Sequence, residues 1–227
     1  MYADGTYLNS NPHWHSGDSQ WKASQISKML TRNWITPQTV CEVGCGAGEI
    51  LIELARALPK GLHFDGYEIS PDAYAICEPK STATIKFHLE DVLEQELTFD
   101  VVLAIDVFEH VEDYFSFLRK LKPKARYKVF HIPLELSALT VARSRPLMRQ
   151  RRQVGHLHHF SKETALATLE DVGYQIVDFF YTSGSTELDG FGWKTKLLKG
   201  PRNALAAVSP DAAARLLGGY SLLVLAE

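Results

Sequence analysis

The sequence predicts an α/β chain organised around a doubly wound, mostly parallel sheet. Three observations carry this expectation. From about residue 39 onward, apolar runs of strand length alternate with helix-like segments. The run "FDVVLAIDVF", residues 99–108, is apolar almost throughout, as a central parallel strand covered on both faces must be. The stretch "CEVGCGAGEI", residues 41–50, places Gly44, Gly46 and Gly48 between a short apolar run and a helix-like segment. Such a turn lies where open α/β sheets hold their ligands.

Taken in order, Trp14, Trp21 and an Ile26/Leu30 stripe in the first 30 or so residues predict a helix packed onto the domain. "TVCEV" reads as the first buried strand, and "GEILIELARAL" as the following helix, stopped by Pro59 and Gly61. "LHFDGYEI" is a second strand. Ser70-Pro71-Asp72 then opens a helix, with proline suited to its first turn. "TIKFHLED" is a third strand, "FDVVLAIDVF" the fourth, "DYFSFLRKLKP" a helix and "ARYKVFHIP" the fifth strand. Residues 134–160 break the rhythm: Arg143, Arg145, Arg149, Arg151 and Arg152 stand against the single acid Glu135, which predicts an inserted helical segment. "SKETALATLEDVG" returns to an amphipathic helix with a serine cap and a glycine stop. "YQIVDFFYTS" and "YSLLVLAE" are the last two strands, separated by a second insertion at residues 184–218.

The bulk properties limit the function. A chain of 227 residues with 45% hydrophobic and 22% charged residues has ample length for a core. A net charge of −3 argues against a protein that coats nucleic acid through its overall field. Cys41, Cys45 and Cys77 form no CxxC pair and suit reduced thiols better than a disulfide framework or a zinc site. The first residues lack the basic and apolar regions of a signal peptide, and no run approaches the roughly 18 apolar residues of a membrane span. A soluble cytoplasmic protein is expected, with no integral membrane association.

The glycine turn leaves a choice of ligand. No lysine follows the glycines, which removes the phosphate-loop pattern Gly-x-x-x-x-Gly-Lys-Ser/Thr. The spacing Gly44-x-Gly46-x-Gly48 is one residue short of the dinucleotide fingerprint, although Glu68 could still serve a ribose of NAD. Glu42 precedes the first glycine by two residues, where a carboxylate is awkward beside pyrophosphate and helpful beside a positively charged amino acid.

This acid-x-Gly-x-Gly-x-Gly pattern resembles motif I of the class I S-adenosylmethionine-dependent methyltransferases. The resemblance runs over roughly residues 39–183. It implies a Rossmann-like sheet of seven strands with an antiparallel close, and S-adenosylmethionine as cofactor. Glu42, Gly44, Cys45, Gly46 and Gly48 would form the cofactor turn. Glu68, followed by Ile69, matches the acid that accepts the ribose hydroxyls. Asp91 matches the residue that binds the adenine amino group, with Val92 offering a backbone amide. Asp106 and Val107, in "FDVVLAIDVFEHVED", would lie near the methionine portion. An N-terminal helix often covers the cofactor in this group. Residues 1–36 are therefore expected as a lid, with Trp21 and Lys22 at the sulfonium and carboxylate and Tyr7, His13, Trp14 and His15 completing it. One domain spanning 1–227 follows, with 134–160 and 184–218 shaping the substrate side.

His110 and His158 are the candidate general bases, since an imidazole titrates near neutrality. Packing roles for both stay open, as does His159 for His158. His131 is a further candidate at the pocket edge. Segment 106–110 also resembles the ubiquinone-biosynthesis O-methyltransferases, where a related acid-x-x-Glu-His arrangement occurs. That admits a metal set of Asp106, Glu109 and His110, although Asp106 already has a cofactor role, and no metal is expected. The arginine run fits a solvated face or a small anionic substrate. The expected reaction is methyl transfer to an oxygen or nitrogen of a small molecule. A silent cofactor-binding module, or action on RNA or lipid, is the alternative.

Overall fold

The computed structural model describes residues 16–184 and 193–227. Strands β1 (Thr39–Val43), β2 (His63–Tyr67), β3 (Ile85–His88), β4 (Phe99–Ile105), β5 (Ala125–Leu134), β6 (Ile176–Thr182) and β7 (Tyr220–Ala226) form one sheet. Their order is β3-β2-β1-β4-β5-β7-β6. β1 pairs in parallel with both β2 and β4, so the strand order reverses there and opens a crevice at the carboxyl ends. β7 runs antiparallel between β5 and β6, as expected for the closing strands.

Both faces of the sheet are covered, and the strand sequences show it by burying consecutive residues. Leu222 and Val224 join Phe108, Phe117, Phe130 and Leu169 on one side. Leu223 and Leu225 join Ile26, Leu30, Leu51 and Leu103 on the other. Helix α1 (Ser19–Arg32) belongs to the second layer, where Ile26, Met29 and Leu30 are fully buried. Its carboxyl end is fastened by Asp178 of β6, which accepts from Asn33 Nδ2 at 2.8 Å and pairs with Arg32 Nε at 2.8 Å. The expected N-terminal helix is therefore present from Ser19, while Tyr7, His13, Trp14 and His15 lie outside the described residues.

The β1 turn leads into α2 (Glu49–Ala57), and α3 (Pro71–Cys77) follows β2. α4 (Tyr114–Leu121) precedes β5. The first insertion is helical, as predicted, and divides into α5 (Ala138–Arg143) and α6 (Arg145–Gln153). α7 (Lys162–Asp171) starts on Ser161, whose side chain accepts the Thr164 amide. The second insertion contributes α8 (Trp193–Val208) and α9 (Pro210–Leu217). Among the described residues, no helix is long and apolar enough to cross a membrane.

β2 stops at Tyr67, short of its predicted end, and β3 and β4 stop short as well. β3 ends at His88, because Asp91 bonds the Leu93 amide and opens a short 3-10 turn instead of extending the ladder. β4 ends at Ile105, and Asp106 adopts the left-handed region at φ 54°. The last two departures re-aim the chain at the carboxyl edge of the sheet.

Gly48 is the residue that turns β1 into α2. Its φ is 78°, and a Cβ there would sit 2.5 Å from the Phe87 ring. Backbone strain and overpacking should each cost about 1–3 kcal/mol. Gly48→Ala is therefore expected to lower unfolding stability by about 2–4 kcal/mol, read by chemical denaturation. An unchanged midpoint would show that the turn relaxes freely.

Candidate active site

A cavity of about 1420 Å³ opens over the carboxyl ends of β1, β2, β4 and β5. Ordinary single-ligand pockets run to about 1,000 Å³, so this one has room for two molecules side by side. The β1 turn supplies Glu42, Gly44, Cys45, Gly46 and Gly48 to its wall, and β2 supplies Glu68 and Ile69. From the end of β4 come Asp106, Val107 and His110, and from α1 come Trp21 and Lys22. Asp91 and Val92 do not line it. Asp91 is exposed and engaged with Leu93, and Val92 is buried in the core.

Glu68 is set for accepting further donors. Its two carboxylate oxygens accept the Gly46 amide at 2.9 Å and the Ser70 amide at 2.8 Å, which pins the group at the crevice. Burial raises its pKa, and the backbone amides of Ser70, Gly46 and Ile69 partly offset that. Each oxygen keeps lone-pair capacity for a diol. Glu42 is 2% exposed, and its Oε2 has no hydrogen-bond partner. Burial drives its pKa well above the carboxylate range, the Lys22 ammonium opposes this, and Glu68 adds to it. An orphaned, buried carboxyl facing a cavity is a site for a cationic group of a ligand.

Behind the turn runs a chain of polar contacts from strand to lid. Thr182 Oγ1 lies 2.9 Å from His131 Nε2, and His131 Nδ1 lies 2.6 Å from Asp106 Oδ1. Asp106 Oδ2 pairs with Lys22 Nζ at 2.9 Å, and Lys22 pairs in turn with Asp18 at 3.0 Å. Burial pushes the Asp106 pKa up, but His131 and Lys22 outweigh it and hold the carboxylate far below its usual range. Burial likewise opposes the charge on Lys22, and Asp106 and Asp18 overcome it. The Trp21 ring meets the His131 ring edge-on, with centroids 6.1 Å apart. Trp21 and Lys22 thus hold the first turn of α1 against the cavity. The sequence identified His131 as a pocket-edge residue and missed Thr182, which has no motif.

The histidines divide differently from the sequence expectation. His110 faces the cavity, and its Nδ1 donates to the Gly155 carbonyl at 3.1 Å. Because a carbonyl can only accept, the Nδ1 carries the proton and the lone pair lies on Nε2. Burial and the neighbouring His156 lower the His110 pKa to about 4. His158 does not line the cavity, and its Nε2 donates to the Glu112 carbonyl at 3.2 Å. His156 faces the cavity in its place, with Nδ1 2.9 Å from Glu135 Oε1. His159 bonds the other Glu135 oxygen. Burial raises the Glu135 pKa, but His156 and His159 outweigh it and keep the group ionised. The segment turns His158 outward because the Leu157 and His158 amides both bond the Glu109 carbonyl.

Asp106 is committed to Lys22 and His131, so the metal set considered from sequence does not assemble. Glu109, His110 and His156 come together instead, with ligand atoms within 4.8 Å of one another. Both Glu109 oxygens are buried without partners, and Glu135 orients His156, as an outer carboxylate orients a metal-bound imidazole. These three residues could hold a divalent cation.

Glu42 provides a pH test of the crevice. Its folded pKa is raised, so its contribution to stability is complete below the unfolded value of about 4.3 and is lost as pH rises through the folded value. Glu42→Gln should therefore flatten the fall in melting temperature as pH rises above the unfolded value of about 4.3. Parallel curves for the two proteins would remove the assignment of Glu42 as a raised carboxyl.

Comparison with known proteins follows the same lines. Residues 14–178 match the family model described as a methyltransferase domain. The ubiquinone biosynthesis O-methyltransferase of Ralstonia nicotianae is 27% identical over 138 residues, covering 50% of this chain and 57% of that protein. Norajmaline N-methyltransferase of Rauvolfia serpentina is 28% identical over 93 residues, covering 37% of this chain and 31% of that enzyme. The chain thus aligns with less than two thirds of the length of these curated relatives. Magnesium protoporphyrin IX methyltransferase from Synechocystis PCC 6803, solved with bound S-adenosylhomocysteine, superposes with a TM-score of 0.60 at 19% identity, covering 91% of this chain and 82% of that one. With the reversal point at β1/β4, the antiparallel β7 and the carboxylate-lined glycine turn, the family match identifies this chain as a member of the class I S-adenosylmethionine-dependent methyltransferases.

Proposed function

We propose that this chain, acting as one domain, transfers a methyl group from S-adenosylmethionine to an oxygen or nitrogen of a small-molecule acceptor. The observation that carries the reading is the pair of buried carboxylates, Glu42 and Glu68, at the ends of adjacent strands beside a glycine turn. A donor with a charged amino acid at one end and a diol at the other suits both, and neither suits a phosphate. When bound, S-adenosylmethionine supplies a methyl group already activated on a sulfonium.

The protein's part is then alignment, exclusion of water and proton removal. Glu68 would take the ribose hydroxyls, the Glu42 carboxyl the cationic amino group, and Trp21 and Lys22 would close the crevice from α1. His110 presents Nε2 as the acceptor for an acceptor-hydroxyl proton. Its pKa of about 4 keeps it neutral at physiological pH and limits its strength as a base, which fits proton transfer concerted with methyl transfer.

Calorimetry with S-adenosylmethionine and S-adenosylhomocysteine tests the donor. Both should bind, and Glu68→Gln should weaken each by about tenfold to a hundredfold through loss of a charged hydrogen-bond acceptor. Failure of both to bind the wild-type protein would overturn the reading. Binding without labelled transfer to any of a metabolite panel would favour the silent module.

For a hydroxyl acceptor, His110→Ala should lower kcat by about 10²–10⁴. Because His110 titrates near pH 4, it should add no inflection to the rate between pH 6 and 8. Retained kcat in His110→Ala would remove it as the base.

The orphaned Glu109 favours a second reading, in which Glu109, His110 and His156 act as cation ligands. Loss of turnover on dialysis against EDTA, with recovery on adding magnesium or zinc, would support it. Unchanged turnover would remove it.

A further inference from the structure

The cavity has a second charged end that the donor does not need. Arg202 of α8 lines it and is only 8% exposed. Its guanidinium packs flat over Gly219, where a Cβ would come within 2.9 Å of Cζ. The Nη2 donates to the Leu217 carbonyl at 3.4 Å, a long contact, and the Nε has no hydrogen-bond partner. A buried guanidinium in a native protein ordinarily finds a carboxylate. Among the described residues, Arg202 has none.

Its neighbours add to the imbalance. Arg143, at the end of α5, lines the same cavity and uses Nε only on its own helix, at the Leu139 carbonyl. Arg149 of α6 also lines it and bonds Gln153. Among the described residues, no ion pair engages any of the three. The acid on this side, Glu135, is already shared by His156 and His159. Burial chiefly, and the Arg143 charge further, lower the Arg202 pKa, with Tyr220 acting against them. Two guanidiniums that line one cavity, neither of them ion-paired among the described residues, make a receptor for an oxyanion, which a planar fork of donors binds in bidentate fashion.

We infer that Arg202, assisted by Arg143, binds a carboxylate or phosphate of the methyl acceptor and holds its far end while the nucleophile faces the donor. This rests on the methyltransferase reading, and it assigns the acceptor to the small organic anions. The positions of the two sites agree with it. The β1/β2 carboxylates and Arg202, which packs beside the start of β7, line one cavity and are separated in the sheet by β4 and β5. Arg145, Arg151 and Arg152 have no part in it. Arg151 bonds the Leu157 carbonyl, and the other two face a small separate hollow.

The test is calorimetric titration of the full chain, with and without saturating S-adenosylhomocysteine, using inorganic phosphate, benzoate and uncharged benzamide as probes. At least one anion should bind while benzamide does not. Phosphate alone would assign a phosphorylated acceptor, and benzoate alone a carboxylic acid. Arg202→Gln should weaken the bound anion at least tenfold, Arg143→Gln about threefold, and Arg202→Lys should restore part of the affinity. Arg152→Gln should leave it unchanged. S-Adenosylhomocysteine affinity should be the same in all four variants, which separates this site from the donor site. Failure of both anions to bind, or equal binding in Arg143→Gln and a folded Arg202→Gln, would overturn the proposal even where the donor binds. If S-adenosylhomocysteine itself fails to bind, the donor reading falls, and the cofactor-free titration still decides the anion site.

Discussion

The Asp106 carboxylate is the contact on which the arrangement of the cavity depends. It sits at the end of the central strand β4 in a left-handed conformation that a non-glycine residue adopts only under constraint. The constraint is visible: one oxygen meets His131 of β5, and the other meets Lys22 of the N-terminal helix. Three separate elements are thereby joined at one group. Solvation favours a free carboxylate, but here a cation and an imidazole replace the water, and the balance keeps Asp106 charged. Helix α1 is held beside the crevice by this pair and by the apolar burial of Ile26, Met29 and Leu30.

The cavity that results is electrostatically divided. At the β1/β2 end, carboxyls crowd together, and burial raises both Glu42 and Glu68 toward the protonated state. At the insertion end, arginines converge without an acid of their own among the described residues. Each end holds a buried polar atom without a hydrogen-bond partner, Glu42 Oε2 at one and Arg202 Nε at the other, and such a group costs free energy. Ligands of opposite charge would relieve both. Binding energy in such a cavity is available to bring two reactants into line, which is the main requirement when the transferred group is already activated.

Much of this was legible in the sequence wherever the signal was local. The glycine spacing with Glu42 before it, Glu68 in "GYEI", and Asp106 and His110 after β4 each lie within a few residues of a strand end, and the structure brings them to one cavity. Trp21 and Lys22 were also legible, through the resemblance to enzymes whose N-terminal helix covers the cofactor, and both line the cavity. The local turn at Asp91 was not, because an Asx contact to the Leu93 amide there replaces the strand that the residue pattern predicts. His158 was chosen over His156 for the same kind of reason. The facing of each histidine is set by Glu135 and by the Glu109 carbonyl, which are distant in sequence. Arg202 had no motif at all. Its partners Gly219 and Leu217 meet it only after α8 and α9 fold back on the sheet.

The sequence by itself determined the sheet, its cofactor turn and the class of chemistry. Those depend on periodicity and short spacings, which the chain carries wherever it is placed. Only the tertiary structure decided which histidine faces the cavity, where the lid is tied and which arginine stands without a counter-charge. Each of these depends on the partner that a side chain meets from another element. Burial and pairing, rather than residue type, then set its charge.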